Sequence, residues 1–245
     1  MRRVQARAVY EGSDVELEED MLASESMYST DYLPSTDEPV ASWRYEYIKR
    51  SFDVFCTTIM IAVFAVPGLL IAAAILLTSE GPVFYHEERV GRNGRPFQIW
   101  KFRTMYRSVA RLSHLADEHT SGTVLQWRTH KHPRDPRITA VGSFLRQWSL
   151  DELPQLFNVL RGEMSLIGPR PVIAAETALY GDFLGYYLAV KPGLSGLWQV
   201  SGRSDVDYAK RVRLDALYVL SWSMWADLKI LFLTIPAVLG RVGAR

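Results

Sequence analysis

Cysteine is nearly absent from this chain: Cys56 stands alone among 245 residues, beside only five histidines. A single thiol excludes an intramolecular disulfide, and its place inside an apolar segment fits a reducing compartment and argues against a reactive role. The histidines give no zinc pattern, because His130 and His132 stand two apart with no further Cys or His at ligand spacing. A glycine-rich phosphate loop is also missing, since Gly91 and Gly94 are accounted for by a turn. No repeat recurs along the chain. The basic start MRRVQARAVY is followed by EGSDVELEED where an apolar leader core would stand, so no signal peptide is expected.

The net charge of +1 conceals an uneven distribution. Residues 1–42 carry three Arg against ten Asp or Glu, a net of −7, which leaves +8 on residues 43–245. The acidic stretch is rich in Ser, Thr and Glu without apolar periodicity, so residues 1–42 are expected to form a disordered tail. The basic remainder calls for an anionic partner such as lipid head groups or a sugar nucleotide. Nucleic acid is not the expected partner: basic and aromatic residues are not interleaved in a binding motif, and an apolar anchor would serve no purpose there.

Charge disappears altogether between Asp53 and Glu80, where VFCTTIMIAVFAVPGLLIAAAILLTS is long enough, at ~1.5 Å per residue, to cross ~30 Å of hydrocarbon. A straight transmembrane helix is one reading. Pro67-Gly68 favours another, because proline cannot donate to the carbonyl of Val63 and its ring crowds that turn, so a kink or break is expected and neither arm spans alone. Lys49 and Arg50 precede the segment; Arg89, Arg92, Arg95, Lys101, Arg103 and Arg107 follow it, which puts both ends on the cytoplasmic side. The expectation is a re-entrant membrane helix over about residues 50–79, broken at Pro67, with Trp43, Tyr45 and Tyr47 at the interface.

Near the C-terminus Leu214, Leu217, Tyr218, Ser221, Trp225, Leu228, Phe232 and Ile235 recur at helical spacing. Asp215, Asp227 and Lys229 interrupt them, so about residues 205–240 predict amphipathic helices that do not cross a bilayer, either packed in the core or lying in the interface. Between the two apolar regions lies a catalytic core of about residues 80–213. There PVFYHEERVGRNGRPFQIWKF predicts a hairpin turning at Asn93-Gly94. A short helix is expected from Tyr106 to Ala116, then a polar loop, then a helix in ITAVGSFLRQW. The fold class is α+β, mainly α: a re-entrant helix hairpin, a small β-hairpin, and interfacial amphipathic helices around a cytoplasmic catalytic core.

In SLDELPQLFNVL two acids, Asp151 and Glu152, stand together before an apolar run. Ser149-x-x-Glu152 matches a capping box, Trp148 and Leu153 match a hydrophobic staple, and acids suit a helix's first turn. The same place could hold a phosphoryl group, since a helix start gathers amide donors. With reference pKa values of ~3.9 and ~4.3 both carboxylates are ionised at neutral pH unless the site perturbs them, and either could attack phosphorus without a separate base. Mg²⁺ would screen the paired charges, held by one or two carboxylates with phosphate and water. Arg170 in GPRP, Arg103 in KFRTM, Arg137 in DPRIT and Arg203 in SGRS are set in turns or element ends, and forked guanidinium groups match phosphate oxygens.

The ordered motifs KR-x-x-D (Lys49 to Asp53), GPVF (Gly81 to Phe84), KFRTM (Lys101 to Met105), DPRIT (Asp135 to Thr139), SLDELPQL through GPRP (Ser149 to Pro171) and KPGLSGLWQVSGR (Lys191 to Arg203), with a late DLKIL, resemble the bacterial sugar transferase family over about residues 43–240. These are monotopic polyprenyl-phosphate phosphoglycosyl transferases that begin exopolysaccharide and O-antigen repeat units. The resemblance implies an inner-membrane enzyme with its catalytic part on the cytoplasmic face. Asp151 would attack the sugar-bearing phosphate of a UDP-sugar, release UMP and carry the phosphosugar until polyprenyl phosphate, typically undecaprenyl phosphate, takes it. It also implies Glu152 as a Mg²⁺ ligand and Arg170 and Arg203 as phosphate binders, with Lys101, Arg103 and Arg137 as further candidates. A homodimer is a further expectation, and glucose or galactose the expected sugar.

The sequence departs from the family pattern in three places. Val66 stands where many relatives have Ser before the proline, so the bend is stabilised differently or is shallower. Glu87 stands where relatives often carry Gln. Larger members add four membrane helices and another domain upstream, so this chain resembles the short, catalytic-unit-only branch. The rival class is a catalytically silent membrane-bound scaffold or regulator of polysaccharide assembly, against which intact Asp151, Glu152 and Arg170 argue.

Overall fold

The computed structural model describes residues 40, 42–43, 45–106, 137–201 and 207–240. Nearly all of the expected acidic tail lies outside the described residues, as do the helix expected after Tyr106, the polar loop with His130 and His132, and Arg203.

A π-helical turn, Tyr45–Lys49, leads into α1, Arg50–Thr78. The run is apolar on every face, so packing on one side cannot hide it: only 6% of the apolar span is buried, and Leu77 is 86% exposed. Length and composition suffice to cross a membrane. The helical backbone continues through Pro67-Gly68, so of the kink or break expected there a full break into two separate helices is absent. Proline removes one hydrogen bond, to Val63, without ending the helix.

Both ends of α1 are tied to the rest of the fold. At its start Arg50 donates to the carbonyls of Val159 (2.6 Å) and Leu160 (2.7 Å), and Asp53 accepts from the Leu166 amide at 3.1 Å. At its far end Ile75 packs with Phe102 and Leu145. Arg103 donates to the Ser79 carbonyl (2.8 Å), the Ser79 hydroxyl (3.0 Å) and the Glu80 carbonyl, satisfying oxygens that a helix end leaves open.

β1, Phe84–Val90, pairs antiparallel with β2, Pro96–Phe102, from Phe84↔Phe102 to Val90↔Pro96. Asn93 (φ 58°) and Gly94 (φ 73°) make the turn, as an Asn-Gly pair predicts. α2, Ala140–Gln147, is capped by Thr139, whose hydroxyl accepts from the Gly142 amide at 2.8 Å. Glycine is required at 142, since a Cβ would lie 2.1 Å from the Thr104 carbonyl oxygen.

The expected capping box does not form. Ser149 is left-handed (φ 55°), its side chain caps nothing, and Leu150–Glu152 is a single 3-10 turn. α3, Gln155–Arg161, starts behind Pro154 and ends at Gly162 (φ 80°). β3, Ser165–Ile167, pairs parallel with β4, Gly193–Ser195. Between them α4, Leu184–Ala189, follows an irregular 3-10 stretch, and α5, Leu197–Val200, follows β4.

The C-terminal apolar pattern is two helices, α6 (Tyr208–Leu220) and α7 (Met224–Leu239), parted at Trp222 and restarted by Ser223, which accepts from the Ala226 amide at 3.1 Å. The acids expected to keep this region polar are inside the protein. Asp215 accepts from the Tyr180 hydroxyl at 2.9 Å. Asp227, 0% exposed, takes Lys49 Nζ at 2.6 Å, the Tyr218 hydroxyl at 2.9 Å and Trp222 Nε1 at 3.1 Å. Lys49 is therefore no surface flank, and Tyr45 is no interface residue, being buried edge-on against Trp222. Trp43 and Tyr47 are exposed, and α7 turns Trp225, Phe232 and Ile235 outward.

Candidate active site

Three elements converge on one cleft. β2 brings Lys101, the 3-10 turn brings Glu152, and the turn after β3 brings Arg170; Arg89, Gln155 and Gln199 line the same hollow. The Gly168–Arg170 turn is set by close backbone contact. The Gly168 amide donates to the Ser195 carbonyl (2.9 Å) and the Gly193 amide to the Pro169 carbonyl (2.7 Å). A Cβ on Gly193 would lie 2.1 Å from the Gly168 nitrogen, so the two turns approach this closely only without a side chain there.

Lys101 Nζ donates to Glu152 Oε1 at 3.0 Å across the cleft. Asp151 does not itself line the hollow; it adjoins it through Glu152 and Lys101. Burial pushes the Asp151 carboxyl up, the charge of Glu152 pushes it further, and Lys101 and Arg146 oppose the rise. The Asp151 carboxyl therefore lies above the ordinary aspartate range that reference values imply.

Arg170 is exposed, makes no hydrogen bond or ion pair among the described residues, and lies 5.9 Å from the Trp198 ring, whose other neighbour is Arg211 at 4.7 Å. Arg103 is not brought to the cleft: it is buried and holds the end of α1. Arg137 lies outside the cleft lining, where its carbonyl accepts from the Tyr106 amide at 2.9 Å. Glu87 pairs with Arg89, which also donates to the Pro171 carbonyl at 3.2 Å.

Sequence reasoning missed Arg89, Gln155, Gln199 and Arg211 as cleft or near-cleft residues. The signal for Gln155 and Gln199 was present, since both sit inside the LPQL and LWQV motifs. Arg89 had only its strand alternation to mark it.

No third acid or ligating side chain joins Asp151 and Glu152 among the described residues. Two adjacent carboxylates suit Mg²⁺ that takes its remaining ligands from phosphate and water, and their mutual repulsion is what a cation would relieve. What the arrangement offers is a half-buried carboxylate held above its ordinary range, a lysine bound to the neighbouring acid, and an uncommitted arginine, a set able to hold and attack a phosphate ester.

The chain is similar to several known proteins. The exopolysaccharide production protein ExoY of Rhizobium meliloti is 48% identical over 191 residues, covering 78% of this chain and 84% of its own. The undecaprenyl-phosphate galactose phosphotransferase of Salmonella typhimurium is 47% identical over 199 residues, 81% of this chain. The UDP-glucose:undecaprenyl-phosphate glucose-1-phosphate transferase of Escherichia coli is 37% identical over 219 residues, 86% of this chain. The chain matches 42% and 44% of the length of those last two relatives. The family model for bacterial sugar transferases matches residues 44–241, and the chain belongs to that family.

Proposed function

We propose that the protein transfers a hexose 1-phosphate, of glucose or galactose, from a UDP-sugar to undecaprenyl phosphate, releasing UMP, as the first membrane step of exopolysaccharide or O-antigen repeat-unit synthesis. The observation that carries this reading is the adjacent acid pair, with Glu152 held by Lys101, at the edge of a cleft that Arg170 enters unpaired. The relatives' names divide between galactose and glucose, and they supply the substrate class.

The steps follow from the chain's own groups. Arg170 and Lys101 draw the diphosphate into the cleft, and Arg89 adds charge at its wall. An Asp151 oxygen attacks the sugar-bearing phosphorus; the bond to the bridging oxygen breaks, and UMP leaves with that oxygen. An oxygen of the lipid phosphate then attacks the same phosphorus and expels the Asp151 carboxylate, so no net proton is consumed. Mg²⁺, if bound, would be held by Glu152 with phosphate oxygens and water, and would supply charge neutralisation for the diphosphate.

We also propose a doubled-back anchor in the bacterial inner membrane, with the catalytic part on the cytoplasmic side. A straight α1 would be ~44 Å long. Its start is held by the last turn of α3 and its end by β2 and α2, all parts of one small core, which favours a helix that leaves and re-enters through a single face. Labelling of cysteines placed at 43 and 82 from opposite sides of the membrane would overturn this topology.

The activity is tested by incubating the full chain in nanodiscs with UDP-glucose or UDP-galactose and no acceptor. One equivalent of UMP and a hexose-phosphate adduct mapped to the Asp151 peptide are expected, and Asp151→Asn abolishes both. An adduct on Glu152 would reassign the nucleophile. Absence of UMP with every UDP-sugar, acceptor present, would leave the scaffold reading.

A further inference from the structure

The point where a Cβ on Gly162 would stand lies 3.6 Å from the Arg50 guanidinium and 3.6 Å from Lys191 Nζ, so the two cations are at most about 7 Å apart. The Lys191 ammonium makes no hydrogen bond or ion pair among the described residues, although the residue's backbone hydrogen-bonds the Tyr45 hydroxyl. Arg50 faces the carbonyls of Val159 and Leu160. The other charges acting on Lys191 are Arg92, Glu46 and Asp53. Glu46 is bound by Arg92, and Asp53 accepts from the Leu166 amide. Three cations thus face two engaged acids. Burial and the neighbouring Arg50 push the Lys191 ammonium below the usual lysine range.

The position of this cluster identifies the anion. Arg50 is the first residue of α1, and Trp43, Tyr47 and Ile48 are exposed just before it (64%, 72% and 42%). Aromatic side chains beside a long apolar helix mark the depth of lipid head groups, where phosphates lie. Neither Arg50 nor Lys191 is among the residues that line the cleft.

We infer that Arg50 and Lys191 form a binding site for the phosphate of an anionic membrane lipid, beside Gly162 and distinct from the acid pair. The site rests on the membrane reading given above. An occupying phosphodiester accepts from both side chains, removes their mutual repulsion and fixes the start of α1 against the end of α3. Gly162 keeps the gap open, since the cations stand at contact distance from where its Cβ would be.

The test is competitive acetylation of Lys191, read by mass spectrometry on the full chain in nanodiscs of phosphatidylcholine alone or mixed with phosphatidylglycerol. Phosphatidylglycerol is expected to slow labelling of Lys191 at least about threefold while exposed lysines label as before. Millimolar inorganic phosphate in the choline-lipid discs is expected to leave the rate unchanged. Equal labelling in both lipids overturns the site. Protection by inorganic phosphate alone overturns the lipid as its occupant. Flotation with phosphatidylcholine vesicles separates the two readings: a chain that floats with Lys191 unprotected overturns only the site, and a chain that stays in solution overturns the anchor as well. In native mass spectrometry Lys191→Gln is expected to lose one phosphatidylglycerol per chain and Lys191→Arg to regain it; full retention by the Gln variant counts against the assignment.

Discussion

Lys101 and Glu152 face each other across the cleft at 3.0 Å, one from the hairpin and one from the acidic turn. Because Lys101 lowers the Asp151 carboxyl and Glu152 raises it, the two set opposite pulls on one neighbour. A nucleophilic aspartate must be ionised, so activity falls as pH drops through its raised pKa. Lys101→Met removes a lowering influence, and the acid limb of kcat/KM against pH should move to higher pH. Glu152→Gln removes a raising influence and should move it lower, alongside a loss of rate. Profiles with unmoved acid limbs in both variants would disconnect Asp151 from the rate.

Arg170 contacts no protein acceptor among the described residues, so its loss should spare the fold. Arg170→Ala is expected to reduce UMP release by ten- to a hundredfold, matching the ~1.5–3 kcal/mol of a charge-assisted hydrogen bond, with Tm within a degree or two of the parent. Arg170→Lys should recover only part, for want of the fork. A large fall in Tm would reveal a structural arginine instead.

Asp227 is different in kind. Asp227→Ala leaves Lys49 buried without a counter-charge and should cost about 3–5 kcal/mol, measured by unfolding in detergent or nanodiscs. Lys49→Met with Asp227→Leu, removing both charges, should restore most of it. If the single variant is as stable as the parent, the pair is not buried as described.

Burial pushes the Asp215 carboxyl up to about 7 from an ordinary 3.8. The folded protein then keeps a proton that the unfolded chain releases between those values. This contribution to stability is greatest below pH ~4 and is lost as pH rises towards 7. Asp215→Asn should flatten that part of the curve of Tm against pH. A slope identical to the parent's would show that Asp215 is not its source.

How legible these features were depends on how local their causes are. The Asn93-Gly94 turn and the Thr139 cap were readable because a few adjacent residues determine them. The acid pair was readable through the ordered motifs around it, yet its backbone was not: Ser149-x-x-Glu152 satisfies every local rule for a capping box and still adopts a 3-10 turn with Ser149 left-handed, because α3 begins only behind Pro154. Lys49 and Asp227 lie 178 residues apart, and nothing near either residue announces the other. Arg103 looked like a phosphate ligand since an arginine's type does not reveal which oxygens lie within its reach.

Arg103, which grips the end of α1, stands two residues from Lys101, which reaches the acid pair. Cutting the chain near residue 80 to obtain a water-soluble catalyst would therefore strip Arg103 of its carbonyl partners and unseat Ile75 from Phe102 and Leu145. The damage would begin two residues along the chain from Lys101. The apolar helix and the cleft are a single mechanical piece, and biochemistry on this protein has to be done with the greasy part attached.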